Sequence, residues 1–492
     1  MKTPKFFHSI LFRYRFYIGQ ATFVLIFCLL LTITYFNAQH LISPAEMTSA
    51  VNSTALSLRG MFTGDFVDLP FRLLQTISIR IFGLTAFAIK LPSIIIGVLS
   101  GAILAVLINR WHKTNVSIIT SIIIVPTAFF LSIATTGSPA IMLIFYPALL
   151  LWLGSKVIAR GATPSPLDYF LFVITLALAC YTPYLLYINI VLIFICIVHP
   201  RIRMHIKTFA KIKFILVSSV YILFLSPIIV SIFTNSAPIH HLFFPEGFSI
   251  YNSFRNLVDA VTTLTNFSQA GSYPIITPAL GLAITVIAII GFITIFPKRT
   301  TSRYQTIMAF FALALITTAL DVNYIVLFFV PIAILVANGI EFILTEWYSL
   351  FPENPYARLF GGFLITVFAT LIVTSNVYFT TYSVHHAISV AESHTSTLDS
   401  LLDYIDDGGA TIITNDETLD FYKILERHHP VSVTSDTEAA LAGTTISIGS
   451  PLDREDVALQ NIVTSPRYQN ADLFYMYAYA PAEEEEEPES VL

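Results

Sequence analysis

Eleven apolar stretches recur along the chain, at roughly 17–36, 86–108, 115–134, 139–157, 167–182, 184–199, 212–234, 275–296, 304–320, 322–342 and 359–380. A helix needs about 20 predominantly apolar residues to cross the hydrocarbon core of a bilayer. Helices and closed barrels alone satisfy their backbone polar groups there. The repetition therefore predicts a polytopic α-helical membrane protein with about eleven transmembrane helices. Hydrophobic residues make up 55% of the 492 and charged ones only 12%, where an ordinary soluble domain carries about a quarter charged residues. The stretches at 167–182 and 184–199 are parted only around Tyr181-Thr182-Pro183, which fits a tight external turn or a single kinked span. The first stretch runs on to about Phe36 with no clean cleavage site. That is too long for a signal-peptide core, so a retained first span is expected.

Loop charge sets an expected orientation. Lys2, Lys5, Arg13 and Arg15 precede the first stretch, and Arg110 and Lys113 follow the second. Lys156 and Arg160 follow the fourth, Arg201, Arg203, Lys207, Lys211 and Lys213 the sixth, and Lys298, Arg299 and Arg303 the eighth. With eleven spans these all fall on one side, which the positive-inside rule makes cytoplasmic. The expectation is a plasma (inner) membrane protein with its N-terminus inside and its C-terminus outside. The span interiors are nearly free of charge, since Lys90, Asp168, Asp321 and Arg358 all sit near span ends. An ion-coupled transporter keeps ionisable groups at mid-membrane, so that class is disfavoured. No basic block is large enough for nucleic acid. Cys28, Cys180 and Cys196 lie inside apolar runs without disulfide or zinc spacing.

Two expected external loops are long, 37–85 and 235–274. The second holds His240 and His241, which lack the further ligands a metal needs; no metal or other cofactor is expected. It also holds Ile250, Phe254, Leu257, Val258, Val261 and Leu264, spaced for a helix lying in the membrane interface. After about residue 385 the composition turns soluble. ATIIT (410–414), VSVT (431–434), TISIG (445–449) and LFYMYAYA (473–480) read as strands, and NDETLDFYKILERH as a capped helix. The expected division is a transmembrane domain over 1–384, a small extracytoplasmic α/β domain over 385–480, and an acidic disordered tail over 481–492.

Residues with chemical potential gather between Leu41 and Ser93. Glu46 follows Ser43-Pro44. Ser43 can cap a helix whose third residue is Glu46, a capping-box spacing; a carboxylate there can equally serve as a general base at the mouth of a membrane cavity. Asp65 and Asp68 lie in GDFVDLP, as a polar turn or as substrate contacts. Arg72 and Arg80, eight apart, share a helix face. Lys90 either snorkels to headgroups or contacts a lipid phosphate.

This layout resembles the GT-C superfamily of integral-membrane glycosyltransferases, in particular its protein-mannosyltransferase and aminoarabinose-transferase branch. Those proteins carry an acidic pair after the first span, a Pro-Pro-Leu segment, and F-G-x-x-x-x-x-x-R-L-P-S leading into the second span. Here Ala45-Glu46 stands for the acidic pair, and Leu69-Pro70-Phe71 for the proline segment. Phe82-Gly83 through Lys90-Leu91-Pro92-Ser93 stands for the last motif, with Lys for Arg. A later R-Y followed by an apolar run with Pro is similar to Asn323-Tyr324 and Ile325 to Pro331. Three charges depart from the pattern. Ala45 replaces the first acid, Thr136-Gly137-Ser138-Pro139 replaces an R-x-D motif, and Asp68 stands where a lysine often precedes the proline segment.

The resemblance implies a GT-C fold and a polyprenyl-phosphate-linked sugar donor held among membrane lipid. An extracytoplasmic acceptor, a glycan, lipid or protein, would be activated by Glu46. Asp65, Asp68, Arg72, Lys90, His240, His241, Asn323 and Tyr324 are the implied substrate contacts, with Lys90 or Arg72 steadying the leaving phosphate. The missing charges motivate an alternative, a catalytically degenerate scaffold that binds lipid or assists assembly.

Overall fold

The computed structural model describes residues 5–57, 60–63, 66–158, 165–207, 211–234, 242, 249–265, 279–298, 301–386, 394–405, 409–437, 444–454, 456–464 and 472–479. Asp65, His240, His241 and the acidic tail lie outside them. The chain divides into two compact units. One comprises Met1–Ala38, Leu56–Leu74 and Lys90–His386, and the other Gln39–Ala55, Gln75–Ile89 and Ala387–Leu492. The second unit thus takes in two pieces of the 37–85 stretch along with the C-terminal region.

The helices in chain order begin with α1 (Lys5–Ala38), α2 (Pro44–Thr54), α3 (Gly60–Thr63), α4 (Leu69–Phe82), α5 (Ala86–Trp111), α6 (Thr114–Ile124) and α7 (Ala128–Thr135). They continue with α8 (Met142–Val157), α9 (Pro166–Ala179), α10 (Leu186–Val198), α11 (Pro200–Lys207), α12 (Lys211–Thr234) and α13 (Ile250–Thr265). The last are α14 (Gly281–Ile295), α15 (Ser302–Leu320), α16 (Phe329–Leu350), α17 (Pro355–His386), α18 (Thr397–Leu402) and α19 (Asp416–Tyr422). Among the described residues seven helices are long and apolar enough to cross a membrane, and α6 with α7, bent by 65°, make an eighth. The bend falls at Pro126, which removes a backbone donor, and Thr127 restarts the helix by accepting from the Phe130 N–H. Three more expected stretches form the shorter apolar helices α9, α10 and α14, of 14, 13 and 15 residues. The protein is a multi-pass membrane protein.

Without a water-driven hydrophobic effect between spans, membrane helices associate through close packing at small residues. The contact between α14 and α16 in the first unit is of this kind. A Cβ on Gly291 of α14 would lie 1.8 Å from the Leu335 carbonyl oxygen of α16, and one on Gly339 of α16 would lie 2.2 Å from that of Ile287. Each glycine admits the other helix's backbone. Beside them the core holds Phe129 and Phe130, whose rings pack on Phe329 at 5.6 and 5.2 Å. On α13, Ile250, Tyr251, Phe254, Val258 and Val261 are exposed while Ala260 and Thr263 are buried. Asn256 pins this helix by donating to the Ala319 carbonyl at the end of α15. That outward apolar stripe is the arrangement of a helix in the bilayer interface.

The second unit is built on a five-stranded sheet of β1 (Ala410–Ile413), β2 (Val431–Thr434), β3 (Thr444–Ile448), β4 (Val457–Thr464) and β5 (Asp472–Tyr479), in the order β2-β1-β3-β5-β4. β1 pairs parallel with β2 and β3; β5 runs antiparallel between β3 and β4. The expected helix after β1 forms as α19 followed by a 3-10 turn over Lys423–Arg427. One sheet face, with Ile412, Val433 and Ile446, shares a core with Phe421 and Leu425 and also with Ile42, Ala50, Ile79 and Ile89. The 37–85 stretch thus supplies part of the hydrophobic core of this α/β unit. A short bridge between Ile42 and Thr395 adds to it.

Candidate functional site

In the first unit, polar groups collect where the start of α4 meets the Cys180–Tyr184 turn between α9 and α10. The Asp68 N–H donates to the Tyr181 carbonyl at 2.8 Å, and its own carbonyl accepts from Phe71 and Arg72, opening α4. Asp68 and Tyr184 are the two non-glycine residues with left-handed backbone among the described residues, at φ 53° and 60°. A bulky residue in that region is rare and signals a local constraint. Here the turn is held by Asp68 on one side and by the Tyr184 N–H donating to the Leu242 carbonyl on the other. The Tyr181 ring packs edge-on against Phe66, and its hydroxyl donates to the Phe224 carbonyl at 2.6 Å.

The Asp68 carboxyl is turned inward. Its Oδ1 is buried with no hydrogen bond, and so is the hydroxyl of Thr182. Burial pushes the Asp68 carboxyl up to about 7, against the smaller opposing effects of the Thr182 hydroxyl and the Arg72 charge. At neutral pH this group is therefore poised between proton donor and acceptor. Arg72 is buried too, one helical turn on, and donates to the Val67 carbonyl. Next to the turn, the Tyr184 and Tyr324 rings meet edge-on at 4.2 Å between centroids. The Asp321 carboxylate lies near the Tyr184 phenol. Asp321 also accepts from the Asn323 N–H at 2.9 Å, so the Asn323-Tyr324 pair is set by a local cap. In the sequence, Thr182 reads only as part of the break between two stretches and Tyr184 as the first residue of the second. The signal was two tyrosines, a threonine and a proline inside an otherwise apolar run.

Lys90 is 2% exposed. Its ammonium donates to the Ala38 carbonyl, at the last residue of α1. A cation there satisfies an orphan carbonyl and complements the helix dipole. Ser93, one turn further along α5, donates to the Ser138 carbonyl, in the Thr136-Gly137-Ser138 segment that replaces the R-x-D motif. The Ser138 hydroxyl is itself buried without a hydrogen bond.

In the second unit, Glu46 closes the capping box of α2. Its Oε2 accepts from the Ser43 N–H at 2.8 Å and from the Ser43 hydroxyl at 2.9 Å, while the Ser43 side chain accepts from the Glu46 N–H. Glu46 is 1% exposed. Behind it, Ser49 and Ser53 both donate to Gln75 Oε1 at 2.7 Å, Gln75 donates to the Ile89 carbonyl, and Thr76 donates to the Ser53 carbonyl. This buried ladder ties α2 to α4 and to the first turn of α5. Arg80, expected to share a face with Arg72, is exposed where Arg72 is buried.

Residues 70–230 match the family described as dolichyl-phosphate-mannose-protein mannosyltransferase. The fold is similar to that of ArnT from Cupriavidus metallidurans in the apo state, with a TM-score of 0.51 and 12% identity over 87% of this chain and 93% of that one. The chain therefore shares the fold of ArnT. ArnT from the same organism bound to undecaprenyl phosphate matches at 0.51 and 12% identity, over 92% of this chain and 97% of that one. An oligosaccharyltransferase from Archaeoglobus fulgidus aligns at 0.49 and 11% identity, over 86% of this chain and 64% of that one. No curated protein matches by sequence. The family match begins at Pro70 in α4 and ends in α12, so it includes Arg72, Lys90 and the Cys180–Tyr184 turn.

Proposed function

We propose that this protein is a membrane glycosyltransferase that moves a sugar from a polyprenyl-phosphate-linked donor to an extracytoplasmic glycan, lipid or protein acceptor. The observation that carries the reading is the GT-C fold over nearly the whole chain, aligned with a structure that holds undecaprenyl phosphate. In this reading Glu46 takes the proton of an acceptor hydroxyl. The oxygen then attacks the anomeric carbon, and the bond to the lipid phosphate breaks, leaving polyprenyl phosphate. The capping box supports the role by fixing the carboxylate through Oε2, which pre-orients the group as a catalytic base requires. Arg72, buried beside the Asp68 carboxyl, and Lys90 steady the departing phosphate, because cationic groups stabilise developing negative charge. Asp68, Asn323 and Tyr324 contact the donor, together with Asp65, His240 and His241. Loop charge supports a cytoplasmic N-terminus and an extracytoplasmic α/β domain.

A second reading, a degenerate scaffold that binds the lipid without turnover, is favoured by one observation. Glu46 is buried and already engaged by Ser43. The two separate in one experiment, in which purified protein is given polyprenyl-phosphate-linked sugars and both retained lipid and released polyprenyl phosphate are measured. The transferase reading expects release that depends on an acceptor. Retention without release sinks it and leaves the scaffold.

A further inference from the structure

A second concave site lies in the first unit, far along α5 from Lys90. It is a groove of about 260 Å³ between α1, α5 and α6. Asn109, in its lining, stands 19 residues from Lys90 on the same helix, which at 1.5 Å per residue is about 28 Å. The groove therefore sits near the opposite end of α5 from Lys90.

Its lining is unusual for a lipid-facing cleft. Four polar side chains, Gln20, Asn109, Ser117 and Ser121, line it beside the small Ala102 and Ala105. Ser117 spends its hydroxyl on the Ala105 carbonyl at 3.2 Å. Ser121, 1% exposed, has a buried hydroxyl with no hydrogen bond in the protein. A buried hydroxyl left without a partner costs on the order of 1–3 kcal/mol, so a ligand atom at Ser121 is the economical explanation. Val24 and Val106 on the rim are about half exposed, at 53% and 49%, so the groove opens sideways.

The charge around the mouth fixes the kind of ligand. Lys113 stands at the N-cap of α6 with no side-chain cap bond, and Arg110, exposed in the last turn of α5, donates to the Ser155 carbonyl at 3.2 Å from a partly free guanidinium fork. Arg13 is exposed on α1, seven residues before Gln20, and so on the same face two turns away. Helices α1, α5 and α6 themselves carry no Asp or Glu, and the Glu341 carboxylate of α16 that reaches this end is taken up by His112 at 2.8 Å, with Arg303 on the same ring. Basic pockets between transmembrane helices bind anionic lipid headgroups.

We propose that this groove is a binding site for an anionic phospholipid of the leaflet on that side. The phosphate sits among Arg13, Arg110 and Lys113. The ester and glycerol oxygens reach Gln20, Asn109 and Ser121, and the acyl chains leave between Val24 and Val106. The volume suits this division, being below the roughly 300–1,000 Å³ of a pocket that swallows a drug-sized ligand; the groove holds the polar neck of a lipid and leaves the tails in the bilayer.

The test is lipid retention by the purified full-length protein, measured by native mass spectrometry after exchange into phosphatidylglycerol or phosphatidylcholine. The expected result is at least tenfold preference for phosphatidylglycerol. Arg110→Gln with Lys113→Gln, both at exposed positions, lowers that preference by about fivefold per cation removed. Ala105→Phe, which fills the groove, abolishes retention. Equal retention of the two lipids overturns the proposal, as does an unchanged preference in the double variant. Retained phosphatidylglycerol in a folded Ala105→Phe protein places the lipid elsewhere and overturns it as well.

Discussion

Asp68 makes stability depend on pH in a direction opposite to that of most carboxylates. Burial moves its carboxyl from the ordinary 3.8 to about 7. At about 1.36 kcal/mol per pH unit, that is on the order of 4 kcal/mol against the folded state once the group is forced to ionise. The sign follows from proton counting. Between those two values the folded state holds a proton that the unfolded chain has released, so stability is greatest below about 4 and falls as pH rises through 7. Roughly 2–3 kcal/mol of the loss falls between about pH 5 and pH 8. Unfolding entropy of about 2 cal/mol/K per residue, taken over 492 residues, turns this into about 2–3 °C of Tm. Asp68→Asn cannot ionise. With almost the whole shift in play between pH 4 and pH 8, it is expected to raise Tm at pH 8 by about 4 °C, leave it nearly unchanged at pH 4, and flatten the profile between. The assay is thermal unfolding of the purified chain in detergent, followed by tryptophan fluorescence at four pH values. Parallel profiles for wild type and variant would refute the reasoning, because the carboxyl would then be titrating as in water.

Two further predictions concern packing. Gly339→Ala brings a Cβ to 2.2 Å from a backbone oxygen; α14 and α16 must part, at a cost of about 1–3 kcal/mol or more, seen as a lower Tm. Gly362→Ala, with nothing within 4 Å, leaves Tm unchanged in the same assay. Gln75→Leu strips the acceptor from Ser49 and Ser53 and the donor from Ile89. Each group left unpaired costs roughly 1–3 kcal/mol, and limited proteolysis should cut the second unit faster.

What could be read from the sequence was whatever rests on local pattern. The apolar runs located the apolar helices, seven or eight of them long enough to cross a membrane among the described residues and three shorter, because bilayer thickness acts on each stretch alone. Ser43-Pro44-Ala45-Glu46 gave the capping box that the structure contains, since a cap is made within four residues. The strands at 410–414, 431–434, 445–449 and 473–480 coincide with β1, β2, β3 and β5 to within a residue or two. β4 escaped notice. VALQNIVT carries Gln and Asn, forms the edge of the sheet and is mostly exposed, so neither face imposes an alternation. Long-range partners were equally hidden. Lys90 finds the carbonyl of Ala38, 52 residues away. Asp68 is buried by a turn more than a hundred residues downstream, and the apposition of Gly291 and Gly339 leaves no periodic trace. The core that Ile42 and Ile79 share with the sheet could not be inferred from a loop whose composition resembles a membrane surface.

The most direct test of the transferase account compares cell-surface glycans in three strains: wild type, deletion, and Glu46→Gln at matched protein level. Glutamine at the third helical position preserves a capping box, so the substitution keeps the fold of α2 and removes only the base. The account predicts that the deletion and the Glu46→Gln strain lose the same glycan. A Glu46→Gln strain with a wild-type glycan profile beside an altered deletion strain would contradict it.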